Sequence, residues 1–136
     1  MQKRSFLFAT LAALFIVGTL SSCRKTITLG NKPSLEFVVA PDRITTDATL
    51  VQDKKYFIEI KADRAEDLSP NTTFEVVRTY SSTGTDTTVF YKDFVGEEQT
   101  TYGYVHNFTT LKKPGTERFT FTVKNSFGIV NQKILV

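Results

Sequence analysis

Seven short runs in which apolar and polar residues tend to alternate constrain this chain more than any other feature of its sequence. The clearest run is Phe119-Thr120-Phe121-Thr122-Val123, in which every second side chain is apolar. A period of two is typical of a β-strand with one buried face and one face in water. The runs cover residues 35–39, 56–61, 74–80, 89–94, 102–108, 119–124 and 129–136. Turn-forming clusters separate them, so the pattern predicts an all-β fold, an antiparallel sandwich of about seven strands.

Two of the turns carry a specific prediction. Pro114-Gly115 is expected to form a type II turn, because glycine supplies the positive φ that such a turn requires. Asn125-Ser126-Phe127-Gly128 is expected to close a hairpin between the last two runs. Residues 63–68 leave room for one helical turn at most, so no amphipathic helix competes with the strands.

The first 22 residues have the features of a secretory signal peptide. Met1-Gln2-Lys3-Arg4 is positively charged, and a mostly apolar run of 15 residues follows from Phe6 to Leu20. A helix needs about 20 apolar residues to cross the hydrocarbon core of a bilayer. The run is therefore short for a membrane span and matches the apolar region of a signal peptide.

Leu20-Ser21-Ser22-Cys23 resembles the lipobox of bacterial lipoproteins, in which the cysteine is acylated and becomes the first mature residue. The resemblance implies a signal peptide at 1–22, a lipidated tether at 23–33 and a β-sandwich domain at 34–136. A plain secretory signal with a chance cysteine and an uncleaved short helix are the alternatives. Arg24 follows the cysteine, where inner-membrane retention signals have Asp, and no acidic cluster follows. An outer-membrane anchor facing the periplasm is therefore expected.

The C-terminal segment from Gly115 to Gly128, followed by a strand ending Ile134-Leu135-Val136, resembles the final hairpin of PKD-like and other immunoglobulin-like modules. With a lipobox, the chain is similar to small immunoglobulin-like lipoproteins of Bacteroidota. It lacks the Cys–Trp–Cys core of antibody domains. The resemblance implies a fold and a cellular setting, because this fold carries many unrelated functions.

Charge and cysteine content exclude several classes of function. The whole sequence carries a net charge of +3, but Lys3 and Arg4 lie in the signal peptide, so the rest carries +1. With so little net charge and no basic stripe, nucleic acid is not an expected partner. Cys23 is the only cysteine and His106 the only histidine. An internal disulfide and a Cys- or His-rich zinc site are therefore excluded, and no cofactor is expected.

One histidine and one cluster of carboxylates are candidates for chemistry or metal binding. His106 could act as a general base, but it shares one face of a run with Tyr104 and Phe108 and has no motif partner. A structural histidine is expected instead. Asp63, Glu66 and Asp67 cluster between Lys61 and Asn71 and could bind Ca²⁺ through their carboxylates. Their spacing fits no calcium-loop signature, so a solvated acidic loop at 63–67 is the alternative.

Aromatic residues are numerous for so small a core. Tyr80, Tyr91, Tyr102 and Tyr104 could form an exposed patch that stacks on sugar rings or anchors a partner protein. The alternative is that many of them belong to the core. Asp86-Thr87-Thr88 resembles the O-glycosylation acceptor of Bacteroidota envelope proteins, which makes Thr87 a candidate acceptor in an expected hairpin loop.

The sequence therefore predicts a non-catalytic envelope lipoprotein that binds or supports another envelope protein. The alternative is a glycan-binding accessory of a polysaccharide-uptake system. The expected contacts are a membrane, through the lipid on Cys23, and an envelope protein or a glycan.

Overall fold

The computed structural model describes residues 31–66 and 68–136, which form a two-layer antiparallel β-sandwich. Cys23 and the predicted signal peptide lie outside the described residues. The strands are β1 Ser34–Phe37, β2 Lys55–Asp63, β3 Asn71–Tyr80, β4 Asp86–Asp93, β5 Thr101–Thr109, β6 Glu117–Asn125 and β7 Val130–Leu135. A 3₁₀ helix at Gly96–Gln99 links β4 to β5. The predicted fold class is confirmed.

The strands divide into a sheet of three and a sheet of four. The first sheet has the order β1-β2-β5 and the second the order β4-β3-β6-β7. The chain changes sheets after β2, β4 and β5, so neighbours in the sandwich are often distant in sequence. The molecule is therefore a sandwich of three strands on four.

The core lies between the two sheets and consists of the inward-facing residues of the alternating runs. Phe74, Val76, Phe121 and Val123 on β3 and β6 have no measurable exposure. Ile58 and Ile60 on β2 close the core from the other sheet, each 1% exposed. Each of these strands buries every second residue, which is why the period of two predicted them.

The strand directions define two opposite ends of the sandwich, and different segments of the chain lie at each end. The amino end contains Asn31, the start of β1, the 3₁₀ helix and the β6–β7 hairpin. The carboxyl end contains the 38–54 loop, the 81–85 turn, the 110–116 loop and Val136. The longer strands have nine or ten residues, so the two ends lie about 30 Å apart at roughly 3.3 Å per residue.

Two local expectations differ from the structure. β4 begins at Asp86, three residues before the predicted start, so Thr87 lies in a strand and not in the hairpin loop. Pro114-Gly115 is not a type II turn, because Gly115 does not have a positive φ. The hairpin at 125–128 is confirmed: Gly128 has φ +77° and donates a 3.0 Å hydrogen bond to the carbonyl of Asn125.

No helix in the two described stretches is long and apolar enough to cross a membrane.

Candidate functional site

A long loop, residues 38–54, folds over the carboxyl end of the sandwich. It first follows the edge of β2, where Ile44 N–H donates to the carbonyl of Phe57 at 2.9 Å. It then crosses to the other sheet, where Ala48 N–H donates to the carbonyl of Val136 at 3.3 Å. The Asp47 carboxylate accepts the N–H of Val136 at 2.9 Å. Loops of this length in small domains are uncommon and usually carry function.

Thr110 fastens the far end of this loop to β5. Its hydroxyl donates to the carbonyl of Val51 at 2.7 Å and accepts the N–H of Lys54 at 3.1 Å. The hydroxyl of Tyr56 accepts the N–H of Val51 at 3.0 Å. The loop is therefore held at both sheets and keeps a defined shape.

Between this loop and the end of the core lies a cleft of about 580 Å³, which we call the carboxyl-end cleft. Its apolar floor is the end of the core, where the largely buried side chains of Ile58, Phe108, Phe119 and Leu135 line the cleft. Its rim is polar and includes residues of the 44–52 and 110–117 segments. The volume and the mixture of an apolar floor with a polar rim are typical of binding clefts.

A largely buried ion pair supports the base of the cleft. Arg78 pairs with Glu117, and their side chains are only 14% and 11% exposed. Glu117 also accepts the N–H of Leu111 at 2.9 Å, and Arg78 donates to the carbonyl of Thr109 at 3.0 Å. Both ends of the 110–116 loop are thereby attached to one pair of charges.

The ion pair was missed by sequence reasoning, although a signal exists. Arg78 occupies the inward-facing register of β3, two residues after Val76 and four after Phe74. A charge at such a position requires an opposite charge nearby, because burying it alone is costly. The guanidinium lies 5.3 Å from the ring centre of Phe119 and 4.7 Å from that of Tyr80.

His106 lies inside the sandwich, 7% exposed, and is surrounded by rings. Its ring centre is 5.3 Å from that of Phe119 and 6.1 Å from that of Phe108. Burial, together with the positive charge of Arg78, lowers its pKa from 6.5 to about 4. The hydroxyl of Tyr104 lies 3.4 Å from Nδ1. The imidazole is therefore neutral at physiological pH and has a structural position.

The four tyrosines do not form one exposed patch. Tyr102 and Tyr104 face into the sandwich, where both rings lie within 5.6 Å of Phe74, and burial raises the pKa of both. Tyr91 lies on the outer face of the other sheet and donates to Asp93 at 2.9 Å. Tyr80 is half-buried beside Arg78. The expectation of a shared surface is wrong, because Tyr91 points outward from the four-stranded sheet, whereas Tyr104 points inward from the three-stranded sheet.

The acidic loop is described only in part, because Asp67 lies outside the described residues. Burial raises the pKa of Asp63, but hydrogen bonds from Thr101 and Lys61 outweigh it and keep the pKa below its usual value. The Thr101 hydroxyl donates a hydrogen bond to the Asp63 carboxylate at 2.6 Å. Within residues 31–66 and 68–136, no three metal-ligating side chains are grouped so as to hold a metal ion.

Thr87 is exposed, as an acceptor of a sugar must be, but it is a strand residue opposite Arg78 in the β3–β4 register.

A search against protein-family models found no match for this chain, and no curated protein matches it closely enough to indicate a relationship. The likeness to immunoglobulin-like lipoproteins therefore stays a prediction, and function is argued below from geometry.

Proposed function

We propose that this chain is a lipid-anchored, non-catalytic binding module of the bacterial cell envelope that contacts a protein partner through its carboxyl-end cleft. The observation that carries the proposal is that the attached N-terminal segment and the cleft lie at opposite ends of the sandwich. A domain tethered at one end leaves the other end free for a partner.

The amino end holds the incoming chain firmly. The side-chain amide of Asn131 donates to the carbonyl of Pro33 at 2.8 Å, and that of Asn125 donates to the carbonyl of Asn31 at 3.2 Å. Cys23 precedes Asn31 by eight residues, which span at most about 28 Å when extended. In this proposal the amino end therefore stays close to the bilayer and the cleft points away from it.

The chemistry of the cleft favours a protein as the partner. Its floor is aliphatic and aromatic, which suits an apolar anchor side chain, and its rim is polar. The glycan alternative relied on exposed tyrosines acting together, and these lie on different faces. No specific geometry favours that alternative.

Site-specific photo-crosslinking in intact cells tests the proposal. A photoreactive amino acid is placed at Thr49 or Lys113, both exposed residues on the rim of the cleft. We expect both positions to give a covalent adduct with the same envelope protein, because both rims would contact it.

Two positions away from the cleft serve as controls. Phe127 is 54% exposed at the amino end, and Lys61 is exposed on the outer face of the three-stranded sheet. Neither should give the adduct. Equal crosslinking from all four positions, or none from Thr49 and Lys113, would contradict the proposal.

A further inference from the structure

One backbone edge of β5 is left open. Arg64 N–H donates to the carbonyl of Thr100 at 2.8 Å, and Thr110 N–H donates to that of Lys54 at 3.0 Å. Between these bonds, β2 and β5 pair without interruption over nine positions. In an antiparallel ladder alternate residues bond to one neighbour, so the even-numbered residues of β5 bond to β2. The odd-numbered residues direct their N–H and C=O groups to the opposite edge.

This open edge lacks the features with which proteins usually protect exposed strands. β5 contains no Asp, Glu, Lys, Arg or Pro and has no bulge. Charged residues, prolines, bulges and short length are the common protections against strand addition. In the described part of the chain, only the carbonyl of Thr109 on this edge accepts a hydrogen bond, from Arg78.

The other three edges of the sandwich are protected. β1 has only four residues. β4 has a register shift opposite Val76/Val77 and carries Asp86, Lys92 and Asp93. β7 carries Lys133, is contacted at its start by the Asn131–Pro33 hydrogen bond, and adjoins the loop that binds Val136. Only the β5 edge has none of these features.

A position for one more strand exists beside β5. The three-stranded sheet faces a four-stranded one, and Tyr102 and Tyr104 of β5 lie over Phe74 of β3. In the described residues the first sheet ends at β5, whose Tyr102 and Tyr104 rings reach Lys92 and Phe90 of β4, and six of the eight residues of β4 are exposed. Phe90 of β4 is half-buried because its ring stacks on Tyr104, with centres 4.1 Å apart, and meets the ring of Phe74 edge-on at 6.2 Å.

We propose that the open edge of β5 binds one extended segment of a partner polypeptide, which adds as a fourth strand to the three-stranded sheet. The odd-numbered residues of β5 supply the backbone hydrogen bonds. The inward-facing side chains of the added segment cover Phe90 and Tyr104, so the segment has apolar residues at alternate positions. This mode of recognition uses backbone pairing for affinity and alternate side chains for selectivity.

The dimensions of the position favour a single segment over a second copy of this chain. A strand of nine residues covers about 30 Å by 5 Å, or roughly 150 Å². A stable interface between folded proteins buries about 800 Å² on each partner. Pairing β5 with β5 of a second copy would also place the second copy's β4 over β5, where β3 already lies.

The charges agree with a segment whose inward-facing side chains are uncharged. β5 carries no charged residue, and the two cations near the position are already paired, Lys92 with Glu98 at 2.8 Å and Arg78 with Glu117. This surface is separate from the carboxyl-end cleft, so the inference does not depend on the proposed function. Crosslinking at the cleft and binding at β5 can fail independently.

Amide hydrogen exchange measured by NMR on the full chain in detergent micelles tests the inference. The probe is a synthetic peptide with the sequence of β2, KYFIEIKAD, which has apolar residues at alternate positions. Without peptide, the amides of Gly103, Val105 and Asn107 should exchange fast, and those of Tyr104 and His106 slowly. At about 1 mM peptide we expect the three fast amides to slow about tenfold.

Two variants and a modified peptide separate edge pairing from other effects. Val105→Pro removes one outward N–H without removing a bond to β2, and it should abolish the slowing. Val105→Thr retains the N–H and the β-branched shape and should behave like the wild type. A peptide N-methylated at the position of Glu59, whose N–H would point to β5, should have no effect.

Several results would overturn the inference. They are unchanged exchange at 1 mM peptide, slowing that survives Val105→Pro, and slowing without peptide that grows with protein concentration. The last result would show that a second copy occupies the edge.

Discussion

At the scale of single residues, the polar side chains of His106, Arg78 and Glu117 face into this sandwich. His106 sits among aromatic rings, and Arg78 and Glu117 form their pair where the core meets the carboxyl-end cleft. The inward position of His106 was predictable, because it shares its register with Tyr104 and Phe108. The pairing of Arg78 with Glu117 was not, because the two residues lie 39 positions apart and only the sheet order joins them.

His106 should make the stability of the fold depend on pH. The unfolded chain binds a proton on this histidine as the pH falls through about 6.5, whereas the folded chain binds it only near 4. The free energy of unfolding should therefore fall as the pH drops from 7 to 4, by up to about 3 kcal/mol from this group. Urea unfolding at a series of pH values measures the effect.

The matched variant for this prediction is His106→Phe, which retains an aromatic ring and cannot titrate. Carboxylates contribute to acid sensitivity in both proteins, so the difference between them isolates the histidine. The wild type should lose more stability than the variant over this pH range. Equal losses would show that the imidazole is not held neutral.

At the scale of elements, the seven strands described above were predicted from the sequence in the right order, but the starts of β3 and β4 were each predicted three residues too late. β6 begins and ends within two residues of its predicted run. β4 extends back to Asp86, where Asp86-Thr87-Thr88 shows no apolar alternation because no sheet covers that part of the strand. Tyr91 and Tyr104 were grouped in one patch because the sequence shows the alternation within a strand but not which sheet each strand joins.

The two glycine turns should respond differently to substitution. Gly128 has φ +77° in the β6–β7 hairpin, and a Cβ there would have space, so the cost of Gly128→Ala is one of backbone conformation. We expect a loss of about 1 kcal/mol in the free energy of unfolding. Gly115→Ala is the control, because Gly115 lacks a positive φ and its Cβ would meet only Ser81 Oγ, at 3.9 Å.

Thermal or urea unfolding of both variants checks this comparison. Gly115→Ala should leave stability unchanged or raise it slightly, since alanine restricts the unfolded chain. An equal loss in the two variants would mean that the 125–128 turn does not impose the left-handed conformation.

At the scale of the whole molecule, the two-layer architecture followed from the spacing of runs and turns, whereas the cleft did not. The 38–54 loop has no periodic pattern, and its course depends on hydrogen bonds to Phe57 and to Val136, which lies 89 positions after Asp47. That the N-terminal tether and the cleft lie at opposite ends likewise could not be predicted without the strand order. The proposed function depends on this arrangement and on a lipid anchor at the amino end.

The most direct measurement of this account is lipid attachment at Cys23 together with membrane association. Cells grown with labelled palmitate should yield labelled wild-type protein in the membrane fraction. Cys23→Ala should abolish the label and release the protein from the membrane, whereas Ser22→Ala, which retains a small residue before the cysteine, should change neither. An unlabelled wild type, or a Cys23→Ala variant that stays equally membrane-bound, would contradict the account.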